Sequence, residues 1–144
     1  MNLINQFSNA TLNNCEDFQF AKYEPNQEYK GHYDICDIDN CDLEHKAECK
    51  LDYENMGSYR YMTVIIYLND NFKDGETYFN KINTKIKPKT GKALLFLSCK
   101  LDNDSYKNGK CKRFEESMHA GLKVTGGTKY ILTKWVRIKD IKNT

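Results

Sequence analysis

The chain has 144 residues, of which 40% are hydrophobic, and a formal net charge of +2. This length suits one domain with its own core, and the apolar content excludes a chain that stays disordered. The lysines are scattered among acids rather than clustered, so we expect no nucleic-acid partner. We also expect no membrane segment, because no apolar run approaches the roughly 20 residues of a span.

The N-terminus is polar and rich in asparagine. We predict a polar leader over residues 1–17, with a short helix near residues 4–7, followed by a single domain over residues 18–144. The leader has neither a basic region nor an apolar stretch, so no signal peptide is visible and a cytoplasmic location is the default expectation. Nothing in the sequence indicates the oligomeric state.

The rest of the chain reads mainly as β-strands. Residues 18–23 alternate aromatic and polar side chains, as a half-buried strand does, and a turn at residues 24–27 leads to a strand at 29–35. Residues 60–68 give the strongest strand signal, and further strands are predicted at 75–79, 92–97, 117–124 and 128–138. This mainly β pattern with few short helices predicts a barrel or jelly roll.

Two long polar segments interrupt the strands, at residues 36–56 and 100–113. We predict both as loops, the first with room for one helical turn at residues 43–49. A loop of about 20 residues in a compact domain is usually functional or disordered. The first loop directly follows two candidate metal ligands, so we interpret it as a lid or substrate loop.

The chain has six cysteines, Cys15, Cys36, Cys41, Cys49, Cys99 and Cys111. Without a signal peptide, free thiols are the default expectation. In an oxidising compartment, the last two would pair across the second polar loop. For the cluster Cys36, Cys41, His45 and Cys49, a tetrahedral zinc site and a disulfide are alternatives to reduced loop cysteines. The spacing fits no standard zinc module, and His45 on its own reads as a solvated side chain.

The candidate catalytic residues begin with His32 and Asp34. Side chains two residues apart on a strand point to the same face, so an imidazole and a carboxylate would converge there. His119, in a strand far downstream, would complete the two-histidine, one-carboxylate triad that holds non-haem Fe(II). Lys129 follows across a Gly-Gly turn. A buried lysine is costly unless it meets an anion, which a carboxylate-bearing cosubstrate would supply.

This order of residues resembles the prolyl 4-hydroxylase family of Fe(II)/2-oxoglutarate dioxygenases. The resemblance extends over about residues 18–138. It includes residues 23–29 before the His-x-Asp pair, Arg60-x-x-Thr63-x-x-x-Tyr67-Leu68, Gly75-Glu76-Thr77-x-Phe79, Pro88-x-x-Gly91-x-Ala93-Leu94-x-Phe96, and Lys129 with Lys134-Trp135. One departure is Asp74, which stands where the family usually has the first of two glycines.

The resemblance implies a double-stranded β-helix, that is, a cupin-like jelly roll. It also implies the residues of the site. Fe(II) would be bound by His32, Asp34 and His119. The distal carboxylate of 2-oxoglutarate would pair with Lys129, beside Thr77, Tyr23 and Tyr67. The residues that would face the substrate proline are Tyr29, Arg60 and Trp135.

The implied activity is a peptidyl-proline 4-hydroxylase that couples decarboxylation of 2-oxoglutarate to hydroxylation of proline in a peptide or protein. It would use Fe(II), 2-oxoglutarate, O2 and ascorbate. Lysine rather than arginine at position 129 favours the collagen-type prolyl 4-hydroxylases within the family. Two alternatives stay open at this point. One is an oxygenase of the same fold that hydroxylates another protein side chain, and the other is a non-catalytic jelly-roll binding module.

Overall fold

The computed structural model describes residues 11–141. Within them lie two α-helices, α1 (Lys46–Met56) and α2 (Asn103–Asn108), and three short 3-10 helices at Leu12–Asn14, Asn80–Ile82 and Glu115–Ser117. The strands are β1 (Gln19–Tyr23), β2 (Tyr29–His32), β3 (Arg60–Tyr67), β4 (Lys73–Asp74), β5 (Thr77–Phe79), β6 (Thr84–Ile86), β7 (Ala93–Leu97), β8 (His119–Gly121), β9 (Val124–Gly126) and β10 (Lys129–Arg137). Neither α-helix is long and apolar enough to cross a membrane.

The strands form two four-stranded antiparallel sheets and one small ribbon. The major sheet has the order β1-β10-β3-β7, the minor sheet has the order β2-β8-β5-β6, and β4 pairs with β9. This is the predicted jelly roll, and the mainly β prediction is confirmed. In the major sheet Thr63 lies opposite Trp135 and Tyr67 lies opposite Ile131. Alternate residues of β3 and β10 therefore share the face that looks toward the minor sheet.

The segment predicted as the first long loop contains α1, eleven residues long. The sequence indicated only one helical turn, at residues 43–49, because the helix has little apolar periodicity and Cys49 is its one buried residue. A disulfide from Cys49 to Cys36 and an ion pair from Asp52 hold it in place. It ends at Gly57, which has a φ of 79°, a conformation that glycine adopts without steric cost.

Other predicted boundaries also differ from the structure. The second long loop contains α2, which begins where Asp102 Oδ1 accepts a hydrogen bond of 2.8 Å from the Ser105 amide. The strand predicted at 117–124 is divided into β8 and β9, which belong to different sheets. The Gly-Gly turn before Lys129, predicted at residues 125–127, therefore overlaps β9. The two- and three-residue strands β4 and β6 were not predicted, because they are too short to show an alternating pattern.

Four of the six cysteines form disulfides, so the expectation of free thiols is wrong for them. Cys36 pairs with Cys49, with Cα atoms 4.9 Å apart, and Cys99 pairs with Cys111 at 6.0 Å. The second pair was named from the sequence, and a disulfide within the cluster of Cys36, Cys41 and Cys49 was one of the alternatives considered there. Each bond closes a loop of about 13 residues, which stabilises a fold by roughly 3 kcal/mol in the chain-entropy account. The expectation of free thiols rested on the absence of a signal peptide. Cys36 and Cys49 pair because α1 places Cys49 beside Cys36.

The predicted leader contacts the domain in its described part. The side-chain amide nitrogen of Asn14 donates a hydrogen bond of 3.0 Å to the Arg137 carbonyl. The backbone of Cys15 forms an isolated β-bridge with Val136. The boundary at residue 17 stays a prediction, although these contacts cross it. The helix predicted near residues 4–7 lies outside the described residues.

A buried arginine joins three parts of the chain. Arg137 is fully buried. Its Nε donates to Glu16 Oε1 at 2.7 Å, its Nη2 donates to Asp52 Oδ1 at 2.7 Å, and its Nη1 donates to the Ser58 carbonyl at 2.6 Å. These bonds connect the segment before β1, helix α1 and the end of β10. Losing the arginine would leave Asp52 without its cation and would leave Glu16 with Arg60 as its partner.

We therefore expect Arg137→Met to lower the free energy of unfolding by about 3–5 kcal/mol, the usual result of breaking one side of a buried ion pair. Urea titration followed by circular dichroism measures this change. Lys107→Met is the matched control, because its side chain is 75% exposed and its loss should change stability by less than about 0.5 kcal/mol. Equal stabilities of the two variants would show that the Arg137 network contributes nothing.

Candidate active site

A cavity of about 320 Å³ lies between the two sheets. Residues from both sheets line it, which is why residues far apart in the sequence meet there. Its lining comprises Gln19, Tyr23, Tyr29, His32, Tyr33, Asp34, Arg60, Ile65, Thr77, His119, Gly121, Lys129, Ile131, Thr133 and Trp135.

The two histidines and the aspartate meet at one end of this cavity. His32 ends β2 and lies directly opposite His119, which begins β8. Asp34 follows two residues after His32. One candidate ligand atom from each of the three residues lies within 4.8 Å of the other two. His32 Nε2 is 3.4 Å from one oxygen of Asp34, and His119 Nε2 is 3.7 Å from the other.

Backbone carbonyls orient both imidazole rings. His32 Nδ1 donates to the Lys30 carbonyl at 2.8 Å, and His119 Nδ1 donates to the Ser117 carbonyl at 2.9 Å. These bonds place the proton on Nδ1 in each ring and leave Nε2 as a lone-pair donor beside the carboxylate. Two imidazoles and one carboxylate on one side of a cavity fit the facial triad of non-haem Fe(II).

The Asp34 carboxylate is held ionised by its neighbours. The Thr63 hydroxyl donates to Asp34 Oδ2 at 2.6 Å. Burial alone raises the pKa of Asp34, yet the two histidines and Thr63 outweigh it and lower the pKa to about 2. Burial lowers the pKa of His119, although Asp34 opposes this. At neutral pH the cluster therefore presents a charged carboxylate beside an unprotonated His119, as metal binding requires.

Lys129 lies buried at another part of the same cavity, with 2% of its surface exposed. Its Nζ donates to the Gly75 carbonyl at 2.8 Å and lies 5.0 Å from the centre of the Tyr23 ring. Among residues 11–141 no carboxylate forms an ion pair with it. Burial lowers the pKa of Lys129 to about 8, with Glu76 opposing. A buried ammonium with one neutral partner is suited to receive an anionic ligand.

A tight turn positions the carbonyl that Lys129 contacts. Asp74 and Gly75 both have positive φ, 61° and 75°. Asp74 thus adopts the left-handed conformation at the position where a glycine was expected, and its side chain accepts a hydrogen bond from Thr125. At Gly75, a Cβ would lie 2.9 Å from Val124 Cγ2, so a side chain does not fit.

Two more residues that were predicted to lie beside the cosubstrate, Tyr67 and Thr77, contact each other. The hydroxyl groups of Tyr67 and Thr77 are 2.7 Å apart, and both residues are almost fully buried. Lys129 Nζ lies 5.9 Å from the centre of the Tyr67 ring. Thr77 lines the cavity, whereas Tyr67 is not one of the lining residues and contacts Thr77.

The three residues predicted to face the substrate also line the cavity. Tyr29 is 52% exposed and meets the His32 ring edge-on, with centroids 4.2 Å apart. The Arg60 guanidinium lies 4.1 Å from the centre of the Trp135 ring. Its Nε and Nη2 donate to Glu16 at 2.6 and 2.7 Å. Arg60 is therefore both an ion-pair partner and part of the cavity wall.

Comparison with known proteins gives the family of this site. Residues 18–137 match the family described as the 2OG-Fe(II) oxygenase superfamily. The chain belongs to this superfamily. A proposed prolyl 4-hydroxylase of Acanthamoeba polyphaga mimivirus is 43% identical over 136 residues, which cover 94% of this chain and 50% of that protein. Prolyl 4-hydroxylase 1 of Arabidopsis thaliana is 34% identical, with coverages of 92% and 44%.

A solved structure agrees with these relatives. The viral collagen prolyl hydroxylase of Paramecium bursaria Chlorella virus-1, in its complex with 2-oxoglutarate, is 34% identical and has a TM-score of 0.64. The match covers 86% of this chain and 59% of that one. The predicted resemblance to prolyl 4-hydroxylases is thus confirmed, and the Fe(II) and 2-oxoglutarate named for the superfamily agree with the predicted cofactors. The chain spans about half the length of the curated relatives it matches.

The sequence interpretation gave no role to several residues of this oxygenase site. Thr63 appeared only as part of a family motif, and its bond to Asp34 was not foreseen. Gln19, Tyr33, Thr133 and the isoleucines of the lining were not considered. The alternation along β3 and β10 was the available signal, because every second residue from Lys129 to Trp135 lines the cavity.

Thr63→Val should weaken metal binding by this oxygenase about 10- to 100-fold while leaving the fold intact. The substitution keeps the side-chain shape but removes the hydroxyl that satisfies Asp34 Oδ2, and loss of such outer partners typically has this effect. Competition with a chromophoric chelator for Mn²⁺, used in place of Fe(II), measures the affinity. Thr133→Val, another lining threonine, should bind metal as the wild type does. Unchanged affinity for Thr63→Val would mean that its hydroxyl does not orient the ligand.

Proposed function

We propose that the protein is a peptidyl-proline 4-hydroxylase, which hydroxylates proline in a peptide or protein and converts 2-oxoglutarate to succinate and CO2. The observation that carries the proposal is the shared cavity, which holds a His-Asp-His cluster and a buried lysine without an ion-pair partner among residues 11–141. A binding module without activity would have no need to bury Lys129 beside such a cluster.

In this proposal His32, Asp34 and His119 would hold the metal through their imidazole nitrogens and carboxylate. Fe(II) bound there would supply the activation of O2 that oxidises 2-oxoglutarate and the substrate. The Lys129 ammonium pairs with the distal carboxylate of 2-oxoglutarate and so fixes its orientation. Thr77 and Tyr23 border that carboxylate, and Tyr67 positions the Thr77 hydroxyl. The surrounding sheets keep bulk water away from the reacting atoms.

The substrate side of the cavity is aromatic and cationic. Tyr29 and Trp135 line the cavity with aromatic rings against which a proline ring can pack. The Arg60 guanidinium lies over the Trp135 ring, and its Nη1 is not used in the bonds to Glu16. A guanidinium at this place suits a backbone carbonyl of an extended peptide. Relatives whose names specify prolyl hydroxylation, and a collagen prolyl hydroxylase among the solved structures, support proline as the target. Ascorbate as a supporting reductant stays a prediction.

The test measures succinate release with Fe(II), ascorbate and 2-oxoglutarate in the presence of matched peptides. We expect a proline-rich peptide to stimulate release, and the same peptide with every proline changed to alanine to have no effect. Stimulation by both peptides would favour the other reading, an oxygenase that acts on a different side chain. If no peptide stimulates release while His119→Ala behaves as the wild type, the enzymatic proposal fails.

A further inference from the structure

A second cavity, of about 530 Å³, lies beside the candidate active site and shares His32 and Tyr33 with it. Its other walls come from residues 35–49 and from the segment before β8. Besides His32 and two carboxylates, three cysteines and one histidine line this cavity, namely Cys36, Cys41, His45 and Cys49. The proposed hydroxylase chemistry uses none of them.

All four residues belong to the segment 36–49 and line the same cavity, although the only close group of three or more metal-binding side chains among the described residues is His32, Asp34 and His119. His45 precedes the first residue of α1 and Cys49 lies four residues further on, with a helical bond from the Cys49 amide to the His45 carbonyl at 3.0 Å. Residues four apart lie on the same helix face. Cys36 reaches Cys49 across the cavity, because the two form a disulfide with Cα atoms 4.9 Å apart. Cys41 is a free, half-buried thiol in the loop between them.

His45 is also oriented as a metal-binding histidine usually is. Its Nδ1 lies 2.7 Å from Asp42 Oδ1, and the Asp42 carboxylate accepts that bond. The bond fixes the ring and leaves Nε2 as the free nitrogen. A carboxylate on the far nitrogen of the imidazole is the common outer partner in zinc sites. Three thiols and one imidazole are a closed ligand set for structural zinc.

From this arrangement we infer that reduction of the Cys36–Cys49 disulfide creates a zinc site formed by Cys36, Cys41, His45 and Cys49. A dithiol supplies two electrons and two protons, becomes a disulfide itself, and leaves two protein thiols. Zn²⁺ then displaces one proton from each of the three thiols and accepts the His45 nitrogen. Thiolates around zinc are about 3.8 Å apart, given Zn–S bonds near 2.3 Å. The two sulfurs therefore need to separate by only about 1.7 Å from a normal disulfide.

Oxidised and reduced forms would thus hold the same segment by different bonds. In one, the disulfide fastens α1 to the chain just after Asp34, and in the other zinc does. The inference goes beyond the proposed hydroxylase function and does not depend on it.

The test measures bound zinc in the His32→Ala/His119→Ala variant, which removes the metal cluster of the first cavity. The protein is exposed to one equivalent of zinc before and after reduction with a phosphine, passed through a desalting column and analysed by native mass spectrometry. We expect no zinc on the oxidised chain and one zinc on the reduced chain. Replacement of zinc by Co²⁺ should give thiolate-to-cobalt charge-transfer absorption in the reduced chain.

Matched variants identify the ligands. Cys41→Ser and His45→Ala should weaken zinc binding to the reduced chain more than about 100-fold in a chelator competition, since loss of an outer partner alone can reach that size. Cys15→Ser, which removes the other free thiol, should leave the affinity unchanged. Circular dichroism checks that each variant is folded. Failure of the reduced chain to retain zinc, or equal retention by Cys41→Ser, overturns the inference.

Discussion

Asp34→Asn should abolish hydroxylation by removing the metal while the protein stays folded. Asparagine has nearly the same shape, but it lacks the charge that balances the metal and offers one ligand oxygen rather than two. The native carboxylate is almost fully buried, has a pKa of about 2 and lies within 4 Å of both imidazole Nε2 atoms. We expect metal affinity to fall by more than about 100-fold, the upper end of what outer partners alone contribute.

Isothermal titration with Mn²⁺ measures the affinity, and succinate release measures the activity. Asp39→Asn is the control, because this exposed carboxylate follows on the same segment but lies outside the first cavity. It should bind metal and turn over as the wild type does. Retained metal binding and activity in folded Asp34→Asn would contradict the assignment of Asp34 as a ligand.

Lys129→Met should raise the KM for 2-oxoglutarate about 10- to 100-fold and change metal affinity little. A hydrogen bond to a charged group contributes about 1.5–3 kcal/mol, which corresponds to this range. Methionine fills a similar volume without the ammonium. The other cation of the lining, Arg60, is already paired with Glu16 and so does not replace the Lys129 ammonium.

Steady-state kinetics with varied 2-oxoglutarate measures the effect, with Mn²⁺ titration as the check on the metal site. Lys123→Met removes an exposed lysine nearby in the chain and should leave both constants unchanged. If Lys129→Met instead loses metal binding and keeps its affinity for 2-oxoglutarate, the assignment of Lys129 to the cosubstrate is wrong.

The lowered pKa of Lys129 gives this prediction a pH dependence. Below about pH 8 the free protein carries the ammonium and binds the distal carboxylate. Above that pH the amine must take up a proton before the ion pair forms, so 2-oxoglutarate affinity should fall by about tenfold per pH unit. Calorimetric titration between pH 7 and pH 10 measures the slope. If the 2-oxoglutarate affinity of Lys129→Met fell with pH in the same way, the pH dependence would belong to a group other than Lys129.

The strands that could be predicted were those with a regular pattern. β3 and β10 alternate or run continuously apolar, and they form the centre of the major sheet. Helix α1 was predicted only as one turn, because it is polar on most sides. A disulfide, the Asp52 ion pair and the packing of Tyr53 against the core hold it. Patterns of hydrophobicity do not report such attachments.

More of the candidate site than of the two long loops could be predicted from the sequence. His32 and Asp34 were predicted from spacing along one strand, although β2 ends at His32 and Asp34 lies in the bend that follows. The meeting of His32 with His119 is a strand register, which spacing does not give. The resemblance to a known family supplied that pairing and Lys129. The Arg60–Glu16 ion pair and the Thr63 hydroxyl bond to Asp34 are contacts between distant elements. Only the folded arrangement shows them.

The measurement that tests the hydroxylase proposal most directly is product analysis under ¹⁸O-labelled O2. A proline-rich peptide is incubated with the protein, Fe(II), ascorbate and 2-oxoglutarate, and tandem mass spectrometry locates the added oxygen while succinate is counted. We predict one labelled oxygen on proline for each succinate formed, and neither product with His119→Ala. Succinate formed without labelled proline, or an oxygen on another residue, would contradict prolyl hydroxylation.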